Sequence, residues 1–262
     1  MTSIKQAMVC AASNVPLELA ASCVVMMAVQ EEHVQLGETR FPIQISSMAI
    51  AAIFLLGAML AGYRYIGWPP VVIVGGSGSA AFILWSLTYL RHPLPPAIVL
   101  PAFLLTVAGL QVHLIEEYLT GFAPAMSRLY NISWSVNSYL MIFVFVGPVL
   151  YTLTALGLFK RVPIAGFLMC FIFIGPGVAE FTHFVFPLLK PDVQPAVAAS
   201  VQAIVGRGQL MQNLPNFWFR VTGHYYFPGM YTAILPMIPG IYGIRKLLVA
   251  PRRAQSVTEN IP

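Results

Sequence analysis

Charged residues are scarce in this chain of 262 residues, since only 9% are Asp, Glu, Lys or Arg while 58% are apolar. Soluble domains carry roughly 25% charged residues because their surfaces face water. A chain with so little charge cannot cover a surface in water, and its mean hydropathy is +0.78. We therefore predict an all-α protein, a polytopic bundle of transmembrane helices whose main partner is the lipid bilayer.

Cysteine is also rare, and the three cysteines are Cys10, Cys23 and Cys170. Their number is odd, and they lie in or beside apolar stretches. A disulfide framework needs cysteines in pairs, so these three are better interpreted as small buried apolar side chains. Cysteine therefore gives no evidence of an oxidised, secreted fold.

A basic stripe with interleaved aromatic residues is absent from the sequence, although the net charge is +5. This excludes the usual pattern of a nucleic-acid-binding protein, so we expect no nucleic acid among the partners. The basic residues lie singly between apolar runs, and a group of four lies near the C-terminus: Arg245, Lys246, Arg252 and Arg253. Loops and cytoplasmic tails of membrane proteins are charged in this way.

The apolar residues form segments that predict about seven spans. The segments are Pro16–Gln30, Ile43–Tyr63, Pro70–Leu90, Pro96–Leu119, Trp134–Phe159, Val162–Leu188 and Tyr226–Leu248. Residues 1–248 would thus form a single transmembrane domain, and residues 249–262 a disordered tail. Lys and Arg are more numerous on the side that holds the C-terminus, which predicts a cytoplasmic C-terminus and an N-terminus outside.

Ionisable side chains inside spans cost several kcal/mol unless they are paired or bind a ligand, so they are candidates for function. His113, Glu116 and Glu117 end the fourth span at positions i, i+3 and i+4, on one helical face. Glu180 and His183 lie near the end of the sixth span with the i, i+3 spacing of di-iron helix bundles. An imidazole and carboxylates on one face can hold a metal ion or share protons.

Two further features accompany these groups. Gly175-Pro176-Gly177 precedes Glu180 and predicts a helix break that frees backbone carbonyls beside the site. His224 lies where the chain re-enters the membrane before the seventh span. Alternation of the spans brings the ends of the fourth and sixth, and the start of the seventh, to the same membrane face, which the charge count predicts to be the outer one.

The spacing His113-x-x-Glu116-Glu117, the later His183 and the segment Tyr226-Phe227-Pro228-Gly229-Met230-Tyr231-Thr232-Ala233 together resemble the HXXEE family of bacterial integral membrane proteins. The resemblance covers roughly residues 105–243 and implies a bacterial inner-membrane protein. That family has no settled function that could be transferred. Its members tend to have Asn before the second histidine, whereas this chain has Glu180, which adds a carboxylate and favours a metal site.

The residues favour a membrane-embedded, metal-dependent enzyme of hydrolase or oxidoreductase type that acts on a lipophilic small molecule. Imidazole and carboxylate suit zinc or iron, as one ion or two. The predicted ligands are His113, Glu116, Glu180, His183 and His224. Glu117, and also Glu116, are the predicted catalytic carboxylates, with Glu117 as the general base.

Two alternatives remain open from the sequence. The same groups could act without a metal, as the acid and base of a membrane isomerase or cyclase. They could also form a proton or metal relay in a transporter, with Glu31, Glu32 and His33 at the far side. A pathway needs polar stations across the whole membrane, whereas the conspicuous residues gather at one face.

Overall fold

The computed structural model describes residues 43–130, 132, 134–189 and 225–258. The predicted span Pro16–Gln30 and the predicted ligand His224 lie outside these residues. Contacts divide the chain into two units, Met1–Ser47 and Met48–Pro262. The second unit contains every residue of the candidate site.

Each regular element in the described part of the chain is a helix, which confirms the predicted all-α class. In chain order they are α1 (Ile43–Tyr65), α2 (Pro69–Leu87), α3 (Pro96–Thr120), α4 (Phe122–Tyr130), α5 (Val136–Phe159), α6 (Pro163–Leu188) and α7 (Ile234–Thr258). Within the described residues, five helices are long and apolar enough to cross a membrane: α1, α2, α3, α5 and α6. The chain is thus an integral membrane protein by helix length and composition, and the total of about seven spans stays a prediction.

The last helix begins later than the sequence predicted. Residues 228–233 form turns, and α7 starts only at Ile234, where the sequence predicted a span from Tyr226. The Pro228-Gly229 pair explains the difference, because Gly229 has φ +90° and so cannot continue a right-handed helix. Helix α7 continues to Thr258, past the point at which a tail was expected.

Two of the spanning helices are irregular in the middle. Helix α5 contains a π-helical turn at Met141–Val146, and α6 contains one at Phe173–Val178, followed by 3-10 helix at Ala179–Phe184. The predicted break at Gly175-Pro176-Gly177 is therefore wrong in form, because the chain stays helical and changes from α to π geometry. Single π turns of this kind are frequent at functional sites. The extra residue in the turn changes the direction in which the side chains of all later residues in the helix point.

Helix α7 packs against α3 and α6 through backbone contacts that only small residues allow. A Cβ atom on Gly240 would lie 2.9 Å from Cα of Gly177, and one on Gly109 would lie 2.6 Å from the carbonyl carbon of Leu235. These close approaches set α7, and the segment before it, against the C-terminal parts of α3 and α6. The predicted polar groups lie in those parts.

Candidate metal centre

Four ionisable side chains from two helices converge inside the bundle. His113 and Glu117 come from α3, and Glu180 and His183 from α6, and one ligand atom from each lies within 4.8 Å of all the others. The two histidines are almost fully buried, with relative exposures of 0% and 2%. The expectation that the ends of these two spans meet is therefore confirmed.

The contacts between these four side chains are short and nearly equal. The Nε2 atom of His113 lies 3.4 Å from Oε1 of Glu117 and 3.2 Å from Oε2 of Glu180. The Nε2 atom of His183 lies 3.3 Å and 3.0 Å from the same two oxygens. Two nitrogens and two oxygens thus surround one point, and each nitrogen faces both oxygens.

Local helix geometry brings each pair onto one face. In the regular α-helix α3, His113 and Glu117 are separated by four residues and lie one above the other. Glu180 and His183 are separated by three residues within 3-10 helix, in which positions i and i+3 eclipse because each turn holds three residues. The π turn before Glu180 sets the register from which this 3-10 segment starts.

The far nitrogen of each imidazole is already hydrogen bonded. Nδ1 of His183 lies 2.7 Å from the carbonyl oxygen of Pro228, which can only accept, so this nitrogen carries a proton. Nδ1 of His113 lies 3.2 Å from Oγ1 of Thr232. The hydroxyl of Thr232 lies 2.5 Å from Oε2 of Glu116 and donates to it, so Oγ1 accepts from His113.

In the neutral form of each ring, these bonds place the proton on Nδ1. A neutral imidazole with a proton on Nδ1 has a lone pair on Nε2, and both lone pairs then face the oxygens of Glu117 and Glu180. Within the described residues, Nε2 of His113 is buried and has no hydrogen-bond partner. Metal-binding histidines are oriented in this way, by donation of the second ring N–H to a carbonyl or another acceptor.

The structure places the carboxylate of Glu116, a predicted ligand, outside the group of four side chains. Its carboxylate accepts hydrogen bonds from the hydroxyl of Tyr226 at 2.9 Å and the backbone N–H groups of Tyr231 at 3.3 Å and Thr232 at 2.7 Å. Glu117, expected as a spare general base, is the α3 carboxylate that faces the histidines. The reason is helical rotation, because consecutive residues are turned by about 100° around the axis.

Tyr139 supports the second oxygen of Glu117. Its hydroxyl donates to Oε2 of Glu117 at 2.9 Å and lies 3.0 Å from the carbonyl oxygen of Leu114. Since Oε2 takes this bond, Oε1 is free to face the two imidazoles. Tyr139 has a relative exposure of 2%, so the bond is formed away from solvent.

A tight turn closes one side of the cluster. The N–H of Met230 donates to the carbonyl oxygen of Phe227 at 2.9 Å, with Pro228 and Gly229 between them. Proline followed by a residue with positive φ is typical of a type II turn. A Cβ atom on Gly229 would lie 2.7 Å from Cε1 of His113, and 2.8 Å from Cγ of Glu117 and Cε1 of His183, so only glycine fits.

Aromatic side chains close another side. The ring of Phe122 stacks on His183 with centroids 5.2 Å apart and an interplanar angle of 28°. Phe186 and Phe227 approach the same imidazole edge-on, at 5.7 Å and 6.1 Å. This apolar wall excludes water from His183 and strengthens the electrostatic interactions of the cluster.

Sequence reasoning missed Tyr139, and it noted Pro228 and Thr232 only as part of the segment Tyr226–Ala233, without a role in holding the ligands. Pro-Gly is a turn signal, so the turn before α7 could have been predicted from Pro228 and Gly229. No sequence pattern distinguishes Tyr139 from the other tyrosines, since the aromatic-rich chain contains 11 of them. His224, the remaining predicted ligand, lies outside the described residues.

The four nitrogen–oxygen distances fit the ligand shell of a transition metal. Ligands 2.0–2.1 Å from a tetrahedral zinc ion are about 3.3 Å from one another, close to the observed 3.0–3.4 Å. The remaining separations among the four ligand atoms are up to 4.8 Å, so the side chains could hold one divalent ion after moving closer together.

Comparisons with protein-family models, with curated proteins and with solved structures find no match for this chain.

Proposed function

We propose that this chain is a membrane-embedded metalloenzyme in which His113, Glu117, Glu180 and His183 hold a divalent ion. One observation carries the proposal: each Nε2 atom faces two carboxylate oxygens at nearly equal distances, while each Nδ1 is already committed to another acceptor. Four lone-pair atoms around one point repel each other unless a positive charge lies between them. The proposed ion supplies that charge.

Protons supply the charge less well than a metal ion. A proton on Nε2 of His113 can form a straight hydrogen bond to only one of Glu117 and Glu180, which lie 3.4 Å and 3.2 Å away. These two distances, and the 3.3 Å and 3.0 Å of His183, are longer than the 2.7–2.9 Å usual for a charge-assisted N–H···O bond, although that of His183 to Glu180 only slightly so. One ion at the centre, by contrast, serves all four atoms at once.

The donor set favours zinc or iron. Imidazole together with carboxylate suits these metals, whereas magnesium and calcium take oxygen ligands almost entirely. The four ligand atoms surround a single point, which favours one ion over the two that the sequence also allowed. The centre lies among helices long and apolar enough to cross a membrane, which favours a substrate that is soluble in lipid.

A metal of this kind would supply a Lewis acid that activates water or oxygen. The residues of the chain would hold the ligands in place and leave room for water. The hydroxyl of Tyr139 holds Glu117 in place, and a cavity of about 10 Å³ beside these two residues has room for about one water molecule. The proposed reaction is of hydrolase or oxidoreductase type.

Metal content tests the proposal directly. Detergent-purified protein, grown with zinc and iron supplied, should contain about one metal ion per chain by plasma mass spectrometry. The double variant His113→Ala/His183→Ala should contain less than a tenth of that amount. His92→Ala is the matched control, because His92 is exposed in the turn between α2 and α3 and should leave the content unchanged.

Two outcomes would end this proposal. One is wild-type protein that is folded, as shown by a cooperative thermal transition, but contains no stoichiometric metal. The other is metal content that is the same in wild type and in the double variant, which would place the ion elsewhere.

A metal-free acid–base enzyme is the second candidate, because the same carboxylates and imidazoles contact each other directly. Activity would then survive dialysis against a strong chelator, whereas the metalloenzyme would lose it and regain it with added metal. A transporter is less well supported. Within the described residues only one such His/Glu group occurs, and a pathway requires several across the membrane.

A further inference from the structure

The four side chains of the centre are not equally covered. Glu180 keeps 17% of its side chain exposed, whereas His113, Glu117 and His183 keep 0%, 5% and 2%. The Pro228-Gly229 turn covers both imidazoles, and Phe122 covers His183. Among the described residues, Glu180 is therefore the most accessible of the four side chains of the centre.

The surface around Glu180 is apolar. In the 3-10 segment of α6, Glu180 and His183 share one face and Phe181 and Phe184 share the next. Phe181 and Phe184 are exposed by 49% and 39%, and they lie within a helix that can cross a membrane. A molecule that approaches Glu180 over this surface comes from the hydrocarbon part of the bilayer.

A second tyrosine lies on the helix that carries Tyr139. Tyr151 of α5 has a relative exposure of 8%. Its hydroxyl oxygen lies along its own helix toward Gly147, where a Cβ atom would be only 3.0 Å away. Within the described part of the chain this hydroxyl makes no hydrogen bond.

The π turn of α5 puts Tyr151 on the same face as Tyr139. Tyr139 and Tyr151 are 12 residues apart, which in a regular α-helix would put them about 120° apart around the axis. The turn at Met141–Val146 adds one residue to a turn and reduces this angle to about 20°. The two tyrosines therefore lie on the same face of α5, the face from which Tyr139 contacts Glu117.

Building on the metal centre proposed above, we propose that a bilayer-dissolved substrate reaches the centre beside Glu180 and accepts a hydrogen bond from the hydroxyl of Tyr151. The substrate class follows from the two contacts. Its reacting group is an oxygen that can bind a metal and accept a hydrogen bond, such as a carbonyl, carboxyl or ester oxygen. Its remainder is an apolar chain that stays among Phe181, Phe184 and the lipid.

The experiment uses cobalt-loaded protein in lipid nanodiscs, because the visible absorption of cobalt(II) changes when a ligand binds. The probes are two metal-binding hydroxamates with the same head group: dodecanohydroxamic acid, which has a long apolar chain, and acetohydroxamic acid, which has none. The long-chain probe should change the cobalt spectrum at a concentration at least tenfold lower than the short one. The same response to both probes, or to neither, would overturn the proposal.

The variant Tyr151→Phe tests the hydroxyl separately. It should bind cobalt with an unchanged spectrum but require about tenfold more dodecanohydroxamic acid, because one hydrogen bond is lost. Tyr63→Phe is the control, since Tyr63 is 62% exposed on α1, and it should behave as wild type. If Tyr151→Phe binds the probe as tightly as wild type does, Tyr151 does not contact the ligand.

The two proposals fail in different ways. Protein that takes up no cobalt contradicts the metal centre itself. Protein that takes up cobalt at the four side chains but does not respond to the long-chain probe contradicts only the lipid-facing opening. The comparison of the two probes on wild-type protein depends on no variant, so a folding defect in Tyr151→Phe would not affect it.

Discussion

Glu116 and Glu117 are neighbours in the chain, and their carboxylates face different partners. Oε1 of Glu117 lies 3.3 Å from Nε2 of His183 and so belongs to the cluster. Oε2 of Glu116 lies 2.7 Å from the backbone nitrogen of Thr232 and so holds the segment before α7. One residue thus contributes to the centre, and the other fixes the turn that covers it.

The first prediction separates these two roles. Glu117→Gln removes a ligand and should weaken zinc binding more than about a hundredfold, which exceeds the usual effect of losing an outer partner. Glu116→Gln keeps all four ligands and should weaken it by about tenfold. Competition with a fluorescent zinc chelator measures both affinities. The reverse order, with Glu116→Gln the more damaging variant, would show that Glu116 is the ligand.

The sequence alone could not have assigned these roles. Glu116 is three residues after His113 and Glu117 is four residues after it. In a straight helix, either spacing puts the carboxylate near the imidazole of His113. The choice depends on the rotation of α3 against α6 and α7, which is set by close contacts such as that of Gly109 with Leu235. Rotations of this kind are a property of packing and leave no local pattern.

The sequence was more informative about the bundle and about which helices meet. Ionisable side chains are conspicuous in apolar spans, and the alternation of spans alone brings His113 and His183 to the same end. The π turns and the 3-10 segment could not be predicted from the sequence, because Gly175-Pro176-Gly177 is equally compatible with a break, a kink or a change of helix type. Those irregular turns decide which way Glu180 and Tyr151 face.

The second prediction concerns the hydroxyl that links Glu116 to His113. Thr232→Val has nearly the same shape but cannot accept the proton of Nδ1, so the imidazole of His113 loses its fixed orientation. Zinc binding should weaken by about 10–100-fold, the usual effect of losing a partner behind a metal-binding histidine. Thr232→Ser keeps the hydroxyl and should stay within about threefold of wild type. Equal affinities for the valine and serine variants would contradict this role.

The third prediction concerns the turn at Gly229. Gly229→Ala puts a Cβ atom 2.7–2.8 Å from both imidazoles and from Glu117, at a residue with φ +90°. Positive φ costs an alanine about 1–2 kcal/mol, and overpacking typically adds about 1–3 kcal/mol. The thermal transition of the detergent-solubilised variant should shift downward, and its zinc content should fall. Gly76→Ala on α2 is the control, because a Cβ atom there has no neighbour within 4 Å.

The last prediction compares Tyr139 and Tyr151, the two tyrosines on one face of α5. Tyr139→Phe removes the donor to Oε2 of Glu117 and leaves that oxygen buried without its phenolic partner, so zinc binding should weaken by about 10–100-fold in the absence of any substrate. Tyr151→Phe removes a hydroxyl that contacts no proposed ligand by a hydrogen bond, and its zinc affinity should equal that of wild type. Chelator competition on the two variants, side by side, gives the difference. If Tyr151→Phe also loses zinc, Tyr151 supports the ligands and is not reserved for the substrate, whereas full zinc affinity in Tyr139→Phe would show that Glu117 needs no help to face the histidines.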